Sequence, residues 1–169
     1  FRIETINVLQ TALEHNPTDG MAHYYLGNIY YHRNQRDKAI AQWETAVKHN
    51  PNLAVAYRNI GWGYFNHLED GSKAIIAYEK AIELKDDQPI YYEELDELYE
   101  MSNTPIATRM KLFKGKNEIV SNREDAFARQ IAVLTLAGET EKAVDYLTGK
   151  QFSYREGSSR IRDILIDAH

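Results

Sequence analysis

The chain has 169 residues, 43% of them hydrophobic, with 20 Lys and Arg against 25 Asp and Glu, a net charge of −5 and no Cys. Disulfides and thiolate metal sites are therefore excluded, and no apolar run approaches the roughly 20 residues that a membrane-spanning helix needs. The negative charge is concentrated: residues 86–104 hold seven acids and no Lys or Arg, so the remaining 18 of the 25 acids face all 20 basic residues.

Leu9 and Ala12 precede Pro17 by the same offsets with which Trp43 and Ala46 precede Pro51. Residues 1–16 are thus expected to be the second helix of a repeated unit whose first helix is missing, in a piece of a longer protein. Asn16-Pro17 and Asn50-Pro51 should end their helices alike, with Asn in the left-handed conformation and Pro restricting it.

Residues 20–53 predict a helix at about 20–32, a turn at Asn34 and a helix at about 36–48. His23, Gly27 and Tyr30 lie one turn apart and form a stripe that must be buried. Gly inside a helix costs about 1 kcal/mol relative to Ala, so Gly27 implies that another helix comes close. Ala39 and Ala46 are the matching small residues, and Trp43 fills the space between. Thirty-four residues on, residues 54–88 repeat this with Tyr57, Gly61, Tyr64, Ala74, Tyr78 and Ala81, in helices at about 54–66 and 72–84. Asp70-Gly71 supplies the turn, with one residue inserted between the helices.

From Pro89 the pattern decays. Tyr92, Leu95 and Tyr99 keep the stripe, but Asp96 replaces the packing Gly, so the pair at 89–115 should sit further apart or be tilted. Ile106, Met110 and Phe113 mark the next helix, ended by Gly115; residues 116–122 are either a turn of helix or a loop. Phe127, Ile131 and Leu134, then Gly138, Ala143 and Leu147, predict a degenerate helix pair at 123–149. A loop from Gly149 to Gly157 precedes a helix at 158–169 carrying Ile161, Leu165 and Ala168.

The spacing L-G-x2-Y, then A-x3-W-x2-A-x4-P, resembles the tetratricopeptide repeat. His23 stands where that family usually has Trp. The resemblance covers residues 1–85 well and 86–150 loosely, and implies an all-α, right-handed solenoid of antiparallel helix pairs in a single domain. Gly138-x4-Ala143, Tyr146-Leu147 and Gln151-Phe152-x-Tyr154-x-Glu156-Gly157 also resemble the C-terminal part of long bacterial proteins that carry a β-rich region before such repeats. Those regions look similar to carbohydrate-handling sandwiches, which implies a sugar-related context for a parent protein.

Chemistry-bearing motifs are missing. There is no HExxH, no G-x-S-x-G, and Gly115-Lys116 has no other part of a phosphate loop. His15, His23, His32, His49 and His67 are scattered without ligand spacing. Glu93, Glu97 and Glu100 share one helical face rather than two sides of a cleft. No catalysis, metal or cofactor is expected.

The stronger signal is a second stripe on the first helices, about 100° from the buried one. It reads Tyr24, Asn28, Tyr31; then Arg58, Trp62, Phe65; then Glu93, Glu97, Glu100. By resemblance these nine positions line a concave groove that receives partner segments, and aromatic residues and Arg are enriched at binding hot spots. The alternatives are inter-repeat packing for the aromatics and a solvated face for the acids.

The reading is a protein-interaction scaffold. It expects a partner segment with an apolar anchor and a basic end, and neither nucleic acid nor membrane. Its rivals are a substrate-presenting or regulatory arm of a carbohydrate-active enzyme, and an RNA-binding helical repeat, which would need a basic groove. Chaperone C-termini are disfavoured, because Tyr24 holds the Lys-type position of a carboxylate clamp. The compartment is not fixed, the cytoplasm being preferred to the periplasm.

Overall fold

The protein is described by a computed structural model that covers the backbone of residues 3–148 and the side chains of residues 5–148. The loop and helix expected at 149–169 lie outside these residues. The described residues are helical and divide into two compact units between Asp86 and Asp87.

Unit 1 contains α1 (Ile3–His15), α2 (Gly20–His32), α3 (Arg36–His49), α4 (Ala54–Asn66) and α5 (Gly71–Leu84). α2 to α5 match the expected helices to within one residue, and α1 lies within the expected 1–16. Asp19 starts α2 by accepting hydrogen bonds at Oδ1 from the Met21 and Ala22 amides (2.9 and 3.0 Å), and Asp70 caps α5 through the Lys73 amide (3.0 Å).

The packing follows the small residues. A Cβ on Gly27 would lie 2.5 Å from the Trp43 ring, and one on Gly61 would lie 2.6 Å from the Tyr78 ring. Ala39, Ala46, Ala74 and Ala81 are each wholly buried opposite. Gly63, outside the repeated spacing, is a further contact: a Cβ there would meet Ile40 at 2.7 Å, so α4 also approaches α3 of the preceding pair. Ala39, Ile40, Trp43, Ile60 and Ala77 form the resulting core. Ile6, Leu26 and Ile29 join α1 to α2. His23 takes the usual Trp position by hydrogen-bonding Gln42 Oε1 (2.7 Å) and the Pro17 carbonyl (3.0 Å).

Unit 2 contains α6 (Pro89–Met101), α7 (Ile106–Phe113), α8 (Asn117–Val120), α9 (Glu124–Leu136) and α10 (Thr140–Leu147). The ambiguous stretch 116–122 thus contains one turn of helix, fixed by the fully buried Val120. Phe127, Ile131, Leu134 and Ala143 make its core, with Met110, Tyr146 and Leu147 against them.

The turns inside the helix pairs share one backbone device. Asn34, Glu69, Asn103 and Gly138 all have positive φ (58°, 53°, 51° and 82°), at intervals of 34 or 35 residues. After three of them the next amide reaches back to the helix: Gln35 to the Tyr30 carbonyl (2.9 Å), Thr104 to Tyr99 (2.8 Å) and Glu139 to Leu134 (2.9 Å), as in a Schellman cap. The inserted residue of the second pair widens the equivalent turn by one position, the Asp70 amide reaching the Tyr64 carbonyl (3.0 Å). Positive φ therefore falls on Glu69 rather than on Asp70-Gly71, since Asp70 is needed as the cap.

The left-handed conformation expected at Asn16 and Asn50 is corrected by the structure. Asn50 has φ −129°, and neither residue is among those with positive φ. Their side chains do the work instead: Asn16 Oδ1 accepts from the Thr18 amide (3.3 Å) and hydroxyl (3.0 Å), and Asn50 Oδ1 from the Asn52 amide (3.4 Å). The following Pro excludes the helical region and leaves extended backbone, which such Asn side-chain turns accommodate.

Candidate partner-binding site

Four of the six stripe residues in unit 1 line one open pocket of about 430 Å³ between α2, α3 and α4: Asn28, Tyr31, Arg58 and Trp62. All four are half-buried. The Tyr31 ring meets Trp62 edge-on at 5.1 Å and Trp43 at 5.8 Å, so the indole of one repeat and the phenol of the other brace each other. Tyr24 lies beside Tyr25 (5.3 Å) outside the pocket, and Phe65 is half-buried and also outside it.

The pocket has a polar wall that sequence reasoning missed. Trp43 Nε1 donates to Asn28 Oδ1 at 2.9 Å, and Asn59 Nδ2 donates to the same oxygen at 3.1 Å. Arg58 Nη1 donates to Asn59 Oδ1 at 3.4 Å. The sequence pattern marks Trp43 only as a space filler and does not mark Asn59, which lies one position off the stripe. A polar residue between Arg58 and the buried Ile60 was the available signal.

The other three stripe residues, Glu93, Glu97 and Glu100, belong to unit 2, and their surroundings differ from a solvated acidic face. Arg123 Nε donates to Glu93 at 2.6 Å, and Arg129 donates to Glu100 at 2.7 Å and approaches Glu97 at 3.8 Å. Asp96 is fully buried. Arg109 grips both of its oxygens at 2.8 Å through Nε and Nη2, and Arg129 adds a contact at 3.4 Å. Four of the seven acids are therefore met by arginines from α7, α9 and the loop before α9, which the local charge count could not reveal.

Burial shapes how these groups titrate. Desolvation raises the Glu93 carboxyl, and its bond to Arg123 only partly opposes this. At Glu100 desolvation is outweighed by Arg129 and Arg109, which hold the carboxyl below its usual range. Among the described residues no group of three or more His, Asp or Glu is placed to hold a metal ion.

A family model described as tetratricopeptide repeat matches residues 20–53, the segment made of α2, its turn and α3. Residues 20–53 are a tetratricopeptide repeat (TPR). Solved TPR structures extend the likeness in fold beyond this repeat. YrrB, a TPR protein with an unusual peptide-binding site, matches with a TM-score of 0.71 at 18% identity, over 95% of this chain and 91% of that one. MamA matches with a TM-score of 0.66 at 20% identity, over 83% and 81%. MamA from Desulfovibrio magneticus RS-1, residue 41 to the end, gives 0.57 at 24% identity, over 70% and 66%. At these identities the likeness is one of fold: an all-α, TPR-like helical solenoid.

Proposed function

We propose that this chain is a non-catalytic interaction scaffold, and that the pocket lined by Asn28, Tyr31, Arg58 and Trp62 receives an apolar side chain from a segment of a partner protein. The observation that carries this reading is the pairing of half-buried Tyr31 and Trp62 from successive repeats beside polar groups in one pocket. Such a mixture of apolar wall and few polar groups is what small binding sites use. The description of YrrB as peptide-binding is consistent with a peptide or protein partner here. The basic end expected from Glu93, Glu97 and Glu100 has less support than the apolar anchor, because Arg123 and Arg129 already engage those acids.

The test is affinity capture from an extract of the source cell with the wild-type chain and an Arg58→Glu, Trp62→Ala double variant, after circular dichroism has established equal helicity. A protein retained by wild type and lost by the variant is the expected result. Identical captures would reduce Tyr31 and Trp62 to inter-repeat packing.

A further inference from the structure

A second open groove, of about 550 Å³, lies across α4 from the pocket of Tyr31 and Trp62. Tyr57, Ile60 and Tyr64 form its floor, whereas Arg58, Asn59 and Trp62 line the first pocket. At about 100° per residue the two sets point to opposite sides of the helix. Val47 of α3 and Ile76 and Ala77 of α5 are the apolar walls of the groove, and Ile76 is 65% exposed. The repeat itself does not demand this face. Thirty-five residues earlier, the places of Ile76, Ala77 and Lys80 hold Ala41, Gln42 and Thr45, and Gln42 there bonds His23 at 2.7 Å. A β-branched side chain left exposed on the outside of a helix serves neither packing nor helix propensity.

The rim is charged and unbalanced. Glu44, Glu79 and Glu83 stand against Lys73 and Lys80. Lys80 pairs with Glu83 at 2.7 Å, and Lys73 pairs with Asp70 at 3.2 Å while lying over the Tyr64 ring at 5.0 Å. Glu44 is exposed, accepts the Tyr64 hydroxyl and has no cationic partner among the described residues. The surplus charge of the rim is thus negative and includes Glu44.

We propose that this groove receives an amphipathic helix of a partner protein, with its apolar stripe on Val47 and Ile76 and a Lys or Arg beside Glu44. The proposal goes beyond the reading of the first pocket and does not rest on it. The form of the occupant follows from the walls. Main-chain groups of α4 from Tyr57 to Tyr64 and of α5 from Lys73 to Lys80 are bonded within their helices or caps. An extended segment would therefore bring unbonded amides and carbonyls against apolar side chains, and leaving such groups unpaired is costly. A helix arrives with its own main chain satisfied and engages a groove through side chains at i, i+3, i+4 and i+7. The face of α5 from Lys73 to Glu83 gives it about 15 Å to lie along, at about 1.5 Å per residue. The basic residue of the partner supplies the counter-charge that Glu44 lacks.

The probe is a displayed library of random peptides of about 15 residues, long enough for an isolated helix, panned on the full chain and counter-selected on Ile76→Glu. Affinities of the retained peptides are then measured by fluorescence anisotropy for wild type, Ile76→Glu and Glu44→Gln, with thermal melts alongside. Ile76→Glu should weaken them by about tenfold or more at an unchanged melting midpoint, because the side chain is exposed; Ile76→Gln replaces it if the midpoint falls. Glu44→Gln keeps an acceptor for Tyr64 and removes the charge. It should cost about two- to fivefold, and nothing once the Lys or Arg of the peptide is changed to Met. The bound peptide should be helical by circular dichroism, and a central Pro should abolish binding.

If no peptide distinguishes wild type from Ile76→Glu, the groove is not a docking site, and the first pocket is untouched by that result. Binding that survives the central Pro would overturn the helical occupant, and an unchanged affinity in Glu44→Gln would overturn the basic contact. If the wild-type chain sediments as a dimer and Ile76→Glu makes it monomeric, the occupant is a second copy of this chain and the proposed partner helix is overturned.

Discussion

Gly27, Gly61 and Asp96 stand at equivalent places in three successive helix pairs, yet the two units treat that place in opposite ways. In unit 1 the side chain is removed and an aromatic ring from the second helix moves into the vacancy. In unit 2 a carboxylate is buried there and two guanidiniums are drawn in after it, Arg109 and Arg129, each 6% exposed. One contact depends on shape and the other on charge balance, so they should fail differently.

The largest expected effect is on the charged side. Asp96→Ala leaves two buried arginines with less counter-charge, and removing one partner of a buried pair costs about 3–5 kcal/mol; urea unfolding of the purified chain would measure it. A loss below about 1 kcal/mol would mean that Glu97 and Glu100 can hold both arginines unaided. The shape-dependent contact should be less costly to disturb. Gly61→Leu drives a side chain into the Tyr78 ring and should cost about 1–3 kcal/mol, read as a lowered thermal midpoint; wild-type stability would refute the close approach of α4 and α5.

Acid should act on unit 2 by a smaller amount. The Glu100 carboxyl lies below its ordinary value when folded, so it adds stability that is present above the unfolded value of about 4.3 and is lost as pH falls through the folded one. Glu93 has the opposite sign: its raised carboxyl contributes most below the unfolded value, and that contribution is lost as pH rises through the folded one. Glu100→Gln should therefore flatten the loss of stability on acidification, by less than about 1 kcal/mol because the group is half exposed. Denaturant midpoints followed on the acid side of neutrality would show it. An unchanged acid slope would exclude Glu100 as a source of the loss.

What was legible in the sequence was local and periodic. The helices of unit 1 followed from the stripes of Gly27, Tyr30, Ala39 and Trp43 and their echoes, because burial at fixed helical spacing leaves a pattern in one window. Four pocket residues followed from rotating that stripe by one position. The polar wall did not, since the bond from Trp43 to Asn28 spans 15 residues and that from Asn59 spans 31. Arg109 and Arg129 escaped for the same reason: they lie 13 and 33 residues from the acid they neutralise. The Asn16 and Asn50 conformations were not legible because two uses of Asn, positive φ and a side-chain acceptor, compete before Pro, and the ring decides.

The four turns at Asn34, Glu69, Asn103 and Gly138 carry a consequence for how such a chain can diverge. Because the turn resets the direction of the backbone, the extra residue before Asp70 is absorbed where it occurs, and Tyr78 of α5 still packs against Gly61 of α4. The left-handed turn is thus the invariant of this protein's grammar, and the side chains between turns are its vocabulary. A lineage could exchange Gly for Asp, aromatic ring for arginine pair, and still read as the same sentence, provided that punctuation survived.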